Sequence, residues 1–147
     1  MSKTANPKRG RLAATVVRDS AGAYDARPVV DNGHKYDLEE RTFVFARGVR
    51  AFVKQLPRTI ANIEDVKQLI RSSGSVGANY IEGNEALGKK DFLMHIKISR
   101  KEAKESRYFL RLLDVGDKDG VEVARIALVK EATELMNIFG AIFRKSQ

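Results

Sequence analysis

Eight cations recur between residues 89 and 111: Lys89, Lys90, Lys97, Arg100, Lys101, Lys104, Arg107 and Arg111. On a helix they fall within an arc of roughly 120°, and Tyr108 lies inside the same arc. A ladder of cations carrying one aromatic suits a nucleic-acid backbone. Ammonium and guanidinium groups bond phosphate oxygens, and a ring offers a face to a base. The plain alternative is a solvated face neutralised by Glu102 and Glu105, at the edge of the arc. Two carboxylates do not neutralise eight cations, so the arc is the candidate anion-binding face.

The stretch GNEALGKK, Gly83 to Lys90, raises a second chemistry. It fits the phosphate-loop pattern GxxxxGK[ST] at every position but the last. A phosphate loop needs a strand before it and a hydroxyl for magnesium at the end. Here ANYIEG precedes it as a helix tail, and Lys90 stands at the hydroxyl position. The stretch therefore reads as a helix end, a turn and a basic helix start. Lys89 and Lys90 would sit at that start, where an anion is favoured.

Other chemistries find less support. Asn79 and Glu82 lie three apart on one helical face, but no second carboxylate or His is evident beside them. They read as structural, with Glu82 pairing a cation of the next helix such as Arg100, and Asn79 capping or bridging helices. His34 and His95 are the two histidines, and His95 has no carboxylate at i+4. Neither reads as a metal ligand. Ser72, Ser73 and Ser75 lack identifiable triad partners. The sequence gives no reason to expect a catalytic residue, a metal or a cofactor.

The elements that must position the cations follow from composition and period. The chain has 147 residues, no cysteine, and 27 Lys+Arg against 19 Asp+Glu, a net charge of +8. That length suits one domain, and the charge favours a polyanionic partner. No apolar run approaches a membrane span, and the basic N-terminus lacks an apolar leader. These features predict a soluble, cytoplasmic protein. Residues 1–36 carry seven basic and three acidic residues and two of the three prolines, without sustained periodicity. They read as a flexible basic arm in which Leu12–Val17 could pair or dock beside a partner.

From Asp37 the apolar period is helical. The bundle spans 37–147, with helices expected at about 37–56, 62–87, 89–115 and 121–145. Leu38, Phe45, Val49, Phe52, Val53 and Leu56 form the first apolar stripe, ended by Pro57. The second holds Ile63, Val66, Leu69, Ile70, Val76, Tyr80 and Ile81. Asn62 is the expected N-cap, and Gly88 the expected left-handed terminator. Its interior run RSSGSVGANYIEG costs helix propensity, which a close helix approach would explain. Phe92, Ile96, Ala103, Leu110 and Leu113 adjoin the cation arc. The turn Gly116 to Gly120 separates a fourth stripe of Val123, Ile126, Ala127, Val129, Leu135, Ile138, Phe139 and Ile142. Long helices with short turns predict an all-α, antiparallel, up-down four-helix bundle.

RSSGSVGANYIEGNEALGKKDF, followed by KISRKEAKESRYFLRLL, closely resembles the bacterial four-helix bundle family encoded in intervening sequences of 23S ribosomal RNA genes. The family's Ser, Asn and Glu-Gly appear as Ser75, Asn79, Glu82 and Gly83, one residue tighter at the front. Its Lys-Asp-Phe is Lys90-Asp91-Phe92. The resemblance covers roughly 37–140. It implies a bundle that assembles as a ring of five, a homopentamer. It also implies kinship with the accessory protein of diversity-generating retroelements, which looks like a basic ring that binds nucleic acid and a reverse transcriptase. On that analogy the partner is RNA ahead of DNA, and the protein is a scaffold with no enzymatic activity. The rival expectation is a protein-interaction scaffold whose basic face docks an acidic partner.

Overall fold

Asp37 opens the first helix by accepting the amide of Glu40 at 3.1 Å, and Glu39 and Glu40 complement the positive helix start. The computed structural model describes residues 37–147 and the backbone of two short strands. The helices are α1 (Leu38–Val53), α2 (Ile60–Asn84), α3 (Lys89–Leu112) and α4 (Asp119–Ser146). The strands, β1 (Val17–Asp19) and β2 (Gly22–Tyr24), pair antiparallel with Val17 opposite Tyr24. The period-based reading of the basic arm did not anticipate that hairpin. The rest of 1–36, including Leu12–Val16, lies outside the described residues.

The helix ends differ from expectation for local reasons. α1 stops at Val53 because the amides of Gln55 and Leu56 turn back three residues, to Phe52 and Val53. Leu56 is still buried. Thr59, not Asn62, caps α2, its hydroxyl accepting the Asn62 amide at 3.0 Å. The Asn62 side chain is buried instead and joins two turns. Its amide nitrogen donates to the carbonyls of Pro57 and Asp114, each at 2.9 Å, and its oxygen accepts the Asp114 amide at 3.0 Å. Gly88 is not left-handed. Its φ of −138° is extended backbone, and it begins α3 rather than ending α2. Among the described residues the left-handed glycine is Gly116, with φ 74°, in the α3–α4 turn.

The four helices pack up-down and antiparallel, as expected, with α4 closing on α1. Between α2 and α3, Ser72 meets Ser106, the Val76 carbonyl meets Ser99 and Gly83 meets His95. Rising numbers on one helix face falling numbers on the other, so the pair is antiparallel. The Ser/Gly run of α2 is one continuous helix, and small residues make the seams. A Cβ on Gly77 would lie 2.6 Å from Thr42 Oγ1 of α1. The core is continuous from Leu38 through Phe139 and includes Phe45, Phe52, Leu69, Ile96, Leu110 and Leu135.

Two networks tie the outer joints. Arg41 of α1 grips Glu131 of α4 through Nε and Nη2 at 2.7 and 2.8 Å, and reaches Glu134 at 2.7 Å. Burial opposes its charge, but the hydrogen bonds and attraction of the two carboxylates outweigh that, so its pKa is raised. Arg125 of α4 donates to the carbonyls of Leu110, Arg111 and Leu113 and caps the end of α3. Ile63, Ile81, Val123 and Ile126 are exposed rather than buried. They lie on the margins of their stripes, beyond the reach of a neighbouring helix.

Candidate nucleic-acid interface

α3 buries Ile96, Ser99, Ala103, Ser106 and Leu110 against the bundle, which fixes the direction of its other faces. The cation arc lies away from that core. Lys89, Lys90, Lys97, Arg100, Lys101, Lys104 and Arg111 are exposed, Arg107 is half-buried, and Tyr108 is exposed within the same ridge. The three acids of α3, Asp91, Glu102 and Glu105, lie on the α2 side. Glu102 is buried beneath Arg71 of α2 at 3.5 Å, and Arg71 also pairs with Glu105. Their charge is therefore largely committed to α2 rather than to the ridge. Lys101 alone shares Glu102, at 3.7 Å.

The remaining cations have no acidic side chain as a partner among the described residues. Lys89 reaches the backbone oxygen of Gln147 at 3.4 Å. Lys97 lies over the Phe143 ring, 5.9 Å from its centre, a cation–π contact. Arg100 lies across Gly140 of α4, where a Cβ would come within 3.3 Å of its Nε. Arg144 crosses the same glycine, with Nη1 at 3.4 Å from that point. Two guanidinium groups thus pack over Gly140, which has no side chain to hold them apart, and they bring two positive charges together at the α3–α4 seam. Lys90, Lys104, Arg107 and Arg111 have no acidic side chain within ion-pair distance among the described residues.

Arg144 and Phe143 were missed by sequence reasoning. They belong to the α4 stripe and its end, and only the register of α4 on α3 brings them to Lys97 and Arg100. The reading of Arg100 as partner of Glu82 is overturned by the same register, since Arg100 faces α4 and Glu82 faces α3 from α2.

The motif residues Asn79, Glu82 and Gly83 instead converge on His95. Asn79 Oδ1 lies 3.2 Å from its Nδ1, while Asn79 Nδ2 donates back to the Ser75 carbonyl at 3.0 Å. Glu82 is 3.8 Å from Nδ1 and Asp91 is 3.7 Å from Nε2. A Cβ on Gly83 would stand 3.1 Å from the His95 Cβ. His95 is thus not alone: Asp91 sits at i−4 on its own helix, and Asn79 and Glu82 face it from α2. Among the described residues no cluster of His, Cys, Asp and Glu can hold a metal ion. Ser72 bonds Ser106 at 2.9 Å, Ser73 bonds the Ile70 carbonyl and Ser75 the Arg71 carbonyl, so these hydroxyls serve packing. No helix among the described residues is long and apolar enough to cross a membrane.

Residues 34–137 match the family model described as 23S rRNA-intervening sequence protein. The fold is similar to a solved protein of unknown function from the S23 ribosomal protein family of Bacteroides thetaiotaomicron. The two share 25% identity, with a TM-score of 0.61, over 72% of this chain and 97% of the other. No curated protein matches the chain significantly.

Proposed function

Since the chain belongs to the family of 23S rRNA-intervening sequence proteins, we propose that it is a nucleic-acid-binding accessory protein that acts as a homo-oligomer and catalyses no reaction. One observation carries this reading. α3 holds eight cations and three acids, whereas the rest of 37–147 holds twelve cations and thirteen acids. The positive field of the bundle is therefore the field of one ridge. A one-sided ridge attracts a polyanion, and its phosphate contacts release condensed counterions. RNA stands ahead of DNA because of the family's link to ribosomal RNA genes. The finer form of the proposal follows the resemblance: a ring of five subunits would gather five ridges and hold a reverse transcriptase beside its template RNA.

A second reading is a scaffold for an acidic protein. It is favoured by the exposed apolar residues Tyr108, Leu112, Val123 and Ile126, which a protein partner could cover. Titration of the purified chain with labelled single- and double-stranded RNA and DNA at several salt concentrations separates the two. Nucleic-acid binding predicts that log affinity falls with log salt by about 0.7–0.9 per phosphate contact. No binding at low salt would remove the first reading and leave the second.

A further inference from the structure

Tyr108 is the one aromatic on the exposed α3 ridge, and 56% of its surface is open. Lys104 lies one turn before it and Arg111 one turn after it, both exposed and on the same face. Lys101, Lys104, Tyr108 and Arg111 thus form a row about 15 Å long, four phosphate spacings of a stacked strand at about 3.4 Å each. The ring is also held in place. It meets Phe109 at 5.2 Å with the planes at 83°, and Phe109 packs on the core. An edge-to-face contact occupies at most one face of Tyr108, and the residue's 56% exposure is what the other face would offer. Leu112, half-exposed at the next turn, extends the apolar floor.

A convex helix ridge touching an A-form RNA duplex meets phosphates and 2′-hydroxyls, because the bases are stacked within and the deep, narrow major groove shuts side chains out. There Tyr108 could lend its hydroxyl to a phosphate, but its ring face has no use. On a single strand it has one, since an unstacked base can lie on it. Resting on the nucleic-acid reading above, we infer that the ridge takes single-stranded nucleic acid, with one base stacked on Tyr108 and the flanking phosphates on Lys104 and Arg111. Every base has a π-face, so the site selects for strandedness and little for sequence.

The test measures binding of the full chain to a short oligouridylate, an RNA duplex of equal length and an abasic strand. Wild type is compared with Tyr108→Ala, Tyr108→Phe and Lys104→Glu. The inference expects tighter binding of the oligouridylate than of the duplex. Tyr108→Ala should weaken the single strand about tenfold, within the range for one stacked base. It should leave the duplex, the abasic strand and the salt slope unchanged, and Tyr108→Phe should keep wild-type affinity. Equal losses on single strand and duplex, or no loss on either, would overturn the stacking role. So would a Tyr108→Ala protein that changes its sedimentation without nucleic acid, because the ring would then belong to a subunit contact. The parent reading fails separately, when wild type binds none of the three probes; binding by wild type with no change in Lys104→Glu would instead take the phosphates off this row and overturn the inference.

Discussion

At the scale of single residues, Asn62 shows how a correct residue can be assigned the wrong task. An Asn before an apolar period signals an N-cap, and Thr59 three positions earlier offers the same chemistry. What decides is tertiary. With Thr59 capping α2, Asn62 turns inward at 2% exposure and satisfies groups in two separate turns. Replacing it by Ala would leave two carbonyls and one amide without that partner. Asn62→Ala should lower unfolding free energy by about 2–3 kcal/mol, the sum of lost hydrogen bonds and buried unsatisfied groups. Chemical denaturation checks this, and a loss below about 0.5 kcal/mol would mean that water replaces the clamp. His95 carries a related lesson. Its neighbours Asn79 and Glu82 come from another helix, at a distance no spacing rule reports, whereas Asp91 lies at i−4 on the same helix, a spacing the sequence displays.

Helices were legible because their signal is local. Four apolar periods, the terminating Pro57 and the Gly116 turn are read within a few residues, and all four helices lie where the period puts them. Their ends were less legible, since a cap competes with its neighbours: α2 starts two residues before the expected position and stops three before. Inter-helix register was not legible at all. It arises from side-chain volumes at seams, which is why Arg144 and Phe143 were missed and Glu82 was given the wrong cation. The small residues of α2 did predict close approach, without naming the neighbour. Thr42 is that neighbour at Gly77, and its hydroxyl is already fixed by the Leu38 carbonyl at 2.8 Å. Gly77→Ala should therefore cost about 1–3 kcal/mol through overpacking, against a gain of about 1 kcal/mol in helix propensity. Gly120, in the first turn of α4 with open space at its Cβ, is the control. There Ala should be neutral or stabilise by about 0.5 kcal/mol. Thermal melts of the two variants give the comparison, and equal shifts would contradict a tight α1–α2 seam.

Over the whole molecule, charge and fold are separable. The core is built largely from apolar side chains and buried hydroxyls, and the cations of α3 stand outside it. Arg41 is the contrast, a cation embedded in a joint. Its raised pKa means that its stabilising charge is present throughout the neutral range and would be lost only as pH rises through the arginine range. Of the ridge cations, Lys104 has no ion pair among the described residues, and Lys97 lies over Phe143, where an exposed cation–π contact is worth about 0.5–1 kcal/mol. Lys97→Glu combined with Lys104→Glu changes the net charge from +8 to +4, two units at each position. It should leave helicity intact and lower stability by no more than about 1 kcal/mol. Nucleic-acid affinity should fall sharply at low salt and the salt slope should shrink by about two contacts. Circular dichroism and anisotropy on the same samples read both quantities. A folded double variant that binds as wild type would place the anion site off the ridge, and the arm of 1–36, with seven basic residues, would be the next place to look.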